Sequence, residues 1–312
     1  MIVTLLSDLF EREDTDALAL FAIIGEGQHR YKVRLRPAYR PQGERPFHRW
    51  FVRQPIELQE RIHAVLERGL REREYTREVE VEVHSALVDE WPVPPNMSVV
   101  RVSLATASKL LVRPLRLLLE NGRNDWGFLK KIVAEPWRPR WERAIENGWL
   151  EQDVGGGIDE LRKFLEMEVA INQPRRIRTW TMFDSDANAD GEPSWSAKET
   201  KNICDKYGIA YHLLERRAIE NYIPRKTLEE WAWRRPKVHR EQARTAVREY
   251  MELTPEKRYF FNVKEGIHGD LAPEVWGDNS PDGPYASLAD GLAGDGFNGE
   301  RDRIFQSIFA ML

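Results

Sequence analysis

Leu115-Arg-Leu-Leu-Leu-Glu120-Asn-Gly-Arg-Asn-Asp125 is an apolar run that stops on acids. The pattern returns in Trp180-Thr-Met-Phe-Asp184-Ser-Asp186 and again in Leu214-Glu-Arg-Arg-Ala-Ile-Glu220-Asn-Tyr-Ile223. Short apolar runs bounded by polar residues suit strands buried on both faces, as in a parallel sheet. Helical patterns lie between them. Trp126, Phe128, Leu129, Ile132 and Val133 follow the first run. The glycine turn Gly155-Gly-Gly157 follows a short strand over 149–154 and opens a helix through Val169. A further helix is expected from the N-cap Ser196, with Glu199 as its capping-box partner, to Tyr207, where Gly208 ends it. Strand and helix in alternation predict an α/β fold, a parallel sheet with crossover helices. Ligands of such sheets bind beyond the carboxyl ends of the strands, where Glu120, Asp184 and Glu215 fall.

Outward from this core, residues 1–105 read as a separate N-terminal α/β unit. Tyr31-Lys-Val-Arg-Leu-Arg36 and Arg77-Glu-Val-Glu-Val-Glu-Val-His84 alternate with the period of a strand, and a further strand is expected around 98–104. Residues 55–73 carry apolar positions at helical spacing, and Pro37, Pro41, Gly43 and Pro46 mark a loop. The sheet with the acids would occupy 110–268. A C-terminal extension, 269–312, would begin with a Gly-, Asp- and Pro-rich loop over 270–295 and end in an apolar helix over 301–312. A helix is expected over 240–251 and an extended piece over 258–266.

Composition excludes some classes. Cys204 is the single cysteine, so there is neither an internal disulfide nor a cysteine-based metal site, which suits a reducing cytoplasm. No secretory signal begins the chain, and the longest early apolar run, 17–24, is too short to span a membrane. The net charge of −4 makes no global demand for nucleic acid. Residues 29–50 are locally basic, with Arg30, Lys32, Arg34, Arg36, Arg40, Arg45 and Arg49 against Glu44, and with Tyr31, Tyr39, Phe47 and Trp50 between them. Such a ribbon can track phosphates and stack bases, which makes Arg34 and Arg36 candidate nucleic-acid contacts; the plain alternative is a half-exposed strand. The N-terminal unit is otherwise expected to bind a partner, dimerise the chain into a homo-oligomer, or guide substrate.

Asp184-Ser-Asp186-Ala-Asn188-Ala-Asp190 offers alternating oxygens of the kind hard cations take. It is a poor helix-loop-helix calcium loop, because Ala189 and Trp195 stand where Gly and Glu belong. An acidic surface turn is the plain alternative. Its company argues otherwise, with Glu120 and Asp125 at one strand end and Glu220 beyond another. Phosphodiester cleavage must stabilise an attacking and a leaving oxygen, and two Mg²⁺ or Mn²⁺ ions about 3.5–4 Å apart do both. Holding two dications takes several carboxylates from different strands. Lys264 is placed to neutralise transition-state charge, or else to snorkel at the surface. Arg216 and Arg217 are candidate phosphate donors. Asn221 and Tyr222 more plainly orient Glu220. The seven histidines are scattered and suggest no metal site.

Glu120…Asp125, the turn 155–157, Asp184-x-Asp186 and the run 215–223, in that order, resemble the Toprim domain of overcoming-lysogenisation-defect (OLD) type nucleases. The resemblance covers about half the chain, residues 110–268. It implies divalent metal at Glu120, Asp184, Asp186 and Glu220, with Asp125 as the second acid of the first motif and Lys264 assisting cleavage. It also implies a DNA nuclease, less readily one for RNA, with a role such as anti-phage defence. The family's first motif is Glu-Gly-x-x-Asp; Asn121 here sets Asp125 one residue further on. No Gly-x-x-x-x-Gly-Lys-Ser/Thr run is present, so an ATPase or other defence subunit is expected as a separate chain. A Toprim-like subunit that binds a partner without catalysis is the rival expectation.

Overall fold

The computed structural model of the chain describes residues 1–11, 17–27, 30–36, 46–71, 79–86, 88–91, 99–277 and 297–312. It divides into two compact units. Unit 1 is Met1–Leu115 with Gln173–Arg178 and Gln306–Leu312, and unit 2 is Arg116–Asn172 with Thr179–Phe305. Each holds a four-stranded parallel sheet flanked by helices, the α/β class expected. Among the described residues no helix is long and apolar enough to cross a membrane.

In unit 1 the strands are β1 (Ile2–Leu6), β2 (Lys32–Arg36), β3 (Glu80–His84) and β4 (Val99–Ser103), in the order β2-β1-β3-β4. Alternation puts Val3, Leu5, Val33, Val81, Val83, Val100 and Val102 in a core with Leu20, Ile23, Ile62, Val65, Leu110 and Leu111 from the flanking helices. Ile177 joins the same core, and Arg178 donates to the carbonyls of Met311 and Arg113 at 2.9 and 2.7 Å. These contacts tie the later segments of unit 1 to its first. The alternating runs around 31–36 and 77–84 are indeed strands where described; residues 77–78 and 98 lie outside the described residues. β1 has no counterpart among the sequence expectations: Ile2–Leu6 has no alternating pattern to mark it. The polar positions of β3 are paired. Glu82 is buried and bound by Arg36 and by Arg101, the latter at 2.6 Å.

That pairing bears on the basic ribbon. Arg36 spans Glu80 and Glu82. Arg34 donates to the Gly69 carbonyl at 3.3 Å. Arg30 is buried and donates to the carbonyls of Leu111 and Arg113, while Lys32 and Phe47 are also buried. In its described part Arg30, Lys32 and Phe47 thus serve the interior of unit 1, while Arg36 and Arg49 are exposed; His29 and residues 37–45, with Tyr39, Arg40 and Arg45, lie outside the described residues.

In unit 2 the strands are β5 (Leu115–Leu119), β6 (Leu150–Val154), β7 (Thr179–Phe183) and β8 (Ala210–Leu213), in the order β6-β5-β7-β8. β7 is buried along its whole length, and Thr181 satisfies its hydroxyl on the Leu118 carbonyl at 2.7 Å. Leu118 and Phe183 pack with Leu161, Leu165, Val169, Ala197 and Cys204 on one side of the sheet. Burial pushes the Cys204 thiol up, so it is an inert core residue.

Three local expectations are corrected. The helix Trp195–Tyr207 is capped by Ser194, whose side chain accepts from the Ala197 N–H at 3.2 Å, so Ser196 lies in the first turn and Glu199 is not its capping-box partner. Residues 258–266 are not extended. Thr254-Pro255 starts the helix Pro255–Tyr259, and Asn262 caps the helix Val263–Gly266, so local capping overrides the aromatic run's strand propensity. Within 270–295 the part described is not loop but the helix Leu271–Trp276, held by the buried Leu271, Val275 and Trp276. It docks on the helix Gly122–Ile132 at Gly127, where an added Cβ would stand 1.6 Å from the Trp276 carbonyl oxygen. Backbone cannot give way as a side chain can. Gly127→Ala is therefore expected to cost roughly 3 kcal/mol, the upper end for overpacking, read as a lower urea midpoint.

Both sheets share one strand order: second, first, third, fourth along each unit's chain. The direction of winding reverses between the first and third strands, and the crevice there is where open α/β sheets bind ligands. In unit 2 that crevice lies between β5 and β7, whose next residues are Glu120 and Asp184.

Candidate active site

The ends of β5 and β7 are stitched together by one of the acids. Glu120 Oε2 accepts from the Asp184 N–H at 3.0 Å, while its own N–H donates to the Met182 carbonyl at 3.3 Å. Asn121 is the N-cap of the helix Gly122–Ile132, and Asp125 in its first turn accepts from the Asn121 N–H at 2.8 Å. Asn121 thus lies at the helix start, and Asp125, buried, lines the same cavity as Glu120. Across from them the turn after β6 closes on β5, with Gly155 N–H to Leu119 O at 2.6 Å and Gly157 N–H to Glu120 O at 2.9 Å. Gly156 and Gly157 have φ of +78° and +94°, a region that favours glycine.

The cavity measures ≈ 300 Å³ and holds Glu120, Asp125, Asp184, Glu220 and Lys264. Glu220 arrives on a single 3-10 turn, Ile219–Tyr222, and is buried. Its Oε2 is buried with no hydrogen-bond partner. Lys264 Nζ stands 3.7 Å from Glu220 Oε1 and 3.7 Å from Asp184 Oδ2. Asp186 is set slightly apart. It lines an adjoining cavity of ≈ 140 Å³ that shares Glu220 and Lys264 with the first. Its backbone is left-handed, φ +46°, held by its N–H donating to the Arg217 carbonyl at 2.9 Å. A non-glycine residue in that region stores strain of the kind that clusters at functional sites.

Burial and mutual repulsion raise the carboxyl pKa values. Glu120 is pushed up to about 7 by burial and by Asp186 and Glu220, against the Asp184 N–H and Lys264. Asp125 and Asp184 are held well above the ordinary range by burial and by neighbouring carboxylates. Burial also raises Glu220, opposed by Lys264. For Lys264 burial pulls down, but Asp184, Glu220, Asp186 and Glu120 together outweigh it and keep the ammonium. One ammonium among five carboxylates leaves a strong demand for positive charge.

That demand, the all-oxygen donor set and the orphaned Glu220 oxygen fit a hard divalent cation. As the side chains stand, no three Asp, Glu, His or Cys among the described residues form a ready metal-holding group. Lys264 sits between two of the acids instead.

The residues flanking Glu220 position it. Asn221 Nδ2 donates to the carbonyls of Arg258 and Phe261 at 2.8 and 3.0 Å, and its Oδ1 accepts from the Ala218 N–H at 3.1 Å. Tyr222 accepts from the Arg216 N–H at 3.0 Å and donates to Glu300 at 2.9 Å. Arg216 differs from expectation: it is buried, donates to the Asn221 carbonyl at 2.7 Å and stacks on Tyr222 and Tyr259, so it clamps this segment. Arg217 does line the cavities, its guanidinium donating to Asn188 Oδ1 at 2.5 Å. Arg34 and Arg36 belong to unit 1.

Glu300 has no counterpart among the sequence-based candidates. It is buried and gathers Tyr222, the Glu215 N–H and His212 Nε2, each at 2.9 Å. In the sequence it is one of two acids, with Asp302, at the charged start of the C-terminal helix, and nothing sets it apart.

Compared with known proteins, the chain matches no protein-family model, no curated protein and no solved structure.

Proposed function

We propose that unit 2 is a Toprim-type, divalent-metal-dependent phosphodiesterase of the OLD kind, acting on DNA in preference to RNA, in a process such as anti-phage defence. The observation that carries this is the convergence of Glu120, Asp125, Asp184, Glu220 and Lys264 on one cavity at the point where the sheet's winding reverses. Glu120, Asp125, Asp184, Asp186 and Glu220 would hold Mg²⁺ or Mn²⁺, in a pair. Bound there, the ions would supply charge for the attacking and leaving oxygens. The Asp184 N–H fixes Glu120 so that one carboxylate oxygen faces a constant direction. Lys264 stays protonated among the acids and is placed to offset charge on a phosphoryl oxygen. Arg217, anchored by Asn188, would take a neighbouring phosphate.

The test is a supercoiled plasmid with Mg²⁺ or Mn²⁺. The wild-type chain should nick it, and Glu120→Ala and Asp186→Ala should each lower nicking at least about a hundredfold while remaining folded. Retained cutting by both variants sinks the assignment. A second proposal, a non-catalytic subunit that works through residues 1–105, is favoured by one observation: Lys264 already stands between Asp184 and Glu220. It predicts that Mn²⁺ leaves the unfolding temperature unchanged, where the hydrolase predicts a rise. Cutting that needs a separate ATPase chain would place the protein as one subunit of a larger system.

A further inference from the structure

Three cavities follow one another in unit 2. The carboxylate cavity shares Glu220 and Lys264 with the ≈ 140 Å³ one, which shares Arg217, Asn262 and Glu265 with a third of ≈ 730 Å³. The third differs in chemistry, because Phe260 and Phe261 wall it. Phe261 is fixed from behind. Its ring centre is 5.3 Å from that of Tyr250, and it fills the space where a Cβ on Gly266 would come within 2.2 Å. Phe260 stands beside it, half-buried.

The charges decide what such a cleft can take. Arg217 and Lys257 are cationic, but Asp190, Glu256 and Glu265 line it as well. Three carboxylates make a poor wall for successive phosphates. They make a good one for a nucleobase, whose π face stacks on a phenyl ring and whose exocyclic amino group donates to a carboxylate. Arg217 lines both cavities at the neck between them, where the backbone phosphate joining such a nucleotide to the reacting one would pass.

We infer that this cleft receives an unpaired nucleobase of the substrate strand, stacked on Phe260 and bearing an exocyclic amino group, beside the phosphate held at the carboxylate cavity. The inference rests on the phosphodiesterase proposal for that cavity. It makes the enzyme selective for single-stranded or opened nucleic acid, and for adenine, cytosine or guanine over thymine at one flanking position.

Binding is measured by fluorescence anisotropy with the full chain carrying Glu120→Gln, so that no strand is cut. The probe is a single-stranded deoxyoligonucleotide of about twelve nucleotides with an abasic site moved along it. At one position the abasic site should weaken binding about tenfold, the size of one base–aromatic stack, and a thymine there should bind less well than a cytosine. In a chain that also carries Phe260→Ala and unfolds at the parent's temperature, the same abasic site should matter less than about twofold, with Phe260→Tyr restoring the difference. Identical abasic profiles with and without Phe260→Ala, or no binding of the probe, overturn the cleft. The chain with native Glu120 is assayed for Mn²⁺-dependent cutting in parallel. A Phe260-dependent base effect without any cutting keeps the cleft and removes the hydrolase; cutting with identical profiles does the reverse.

Discussion

Glu120→Gln should unfold at a higher temperature than the wild type at pH 8 without metal and, on the proposed function, should not cut DNA. Glu120 is raised from the ordinary 4.5 to about 7 in the folded chain. Between those values the folded state binds more protons than the unfolded one, so stability falls as pH rises through that window and the full penalty stands above it. A shift of that size corresponds to about 3 kcal/mol at pH 8, and a neutral Gln removes most of it while still accepting from the Asp184 N–H. At pH 4, where the carboxyl is protonated in both states, wild type and variant should unfold together. Mn²⁺ should raise the wild type at pH 8 and leave the variant nearly unmoved. A variant that is less stable at both pH values would show that Glu120 is a structural hydrogen-bonding group and not one member of a repelling cluster. The expected gain with loss of function is the trade seen wherever a site holds like charges together for a ligand.

Glu300→Ala should do the opposite and lose both stability and activity. The substitution leaves the buried Tyr222 hydroxyl without its acceptor, and the part-buried Glu215 N–H loses its own. An unsatisfied buried group costs about 1–3 kcal/mol, and the N–H of the exposed Glu215 can turn to water, so a loss of roughly 2 kcal/mol is expected in urea titrations. Cutting should fall at least about tenfold even well below the melting temperature, because Tyr222 and Arg216 no longer fix the turn that carries Glu220. Glu300→Gln, which keeps one acceptor oxygen, should recover a large part of both. Full activity in a destabilised Glu300→Ala protein would show that the turn holds its shape without this anchor.

The parts of this molecule visible in its sequence are those governed by neighbours along the chain. Thr179–Phe183 is uniformly apolar or β-branched, and a buried parallel strand asks for little else. The acids after β5 and β7 stand where the strands stop, so the sequence points to the carboxyl end of one sheet. Gly208 ends its helix in the left-handed conformation, as a glycine at that place signals. Arg258-Tyr-Phe-Phe misleads, because aromatic residues favour strands while Pro255, by its fixed backbone, and Asn262, by its side-chain cap, set the local helices. Glu300 was invisible for another reason. Its partners Tyr222, Glu215 and His212 lie 78, 85 and 88 residues away, and nothing local announces a bond of that span. Arg216 shows the same limit, since only the folded chain tells a guanidinium that binds phosphate from one sandwiched between Tyr222 and Tyr259.

The path of the chain between its two units carries a consequence for inheritance. It passes from one to the other after residues 115, 172, 178 and 305. A continuous stretch of gene therefore carries unit 1 whole only by taking unit 2 with it. Residues 116–305 taken alone would bring along 173–178, including Ile177 and Arg178, without the core and the carbonyls they bind. Residues 1–115 taken alone would lack both later segments of their own unit. The N-terminal sheet is consequently inherited with the acidic centre, whereas the acidic centre moved alone would carry Ile177 and Arg178 away from the groups they bind.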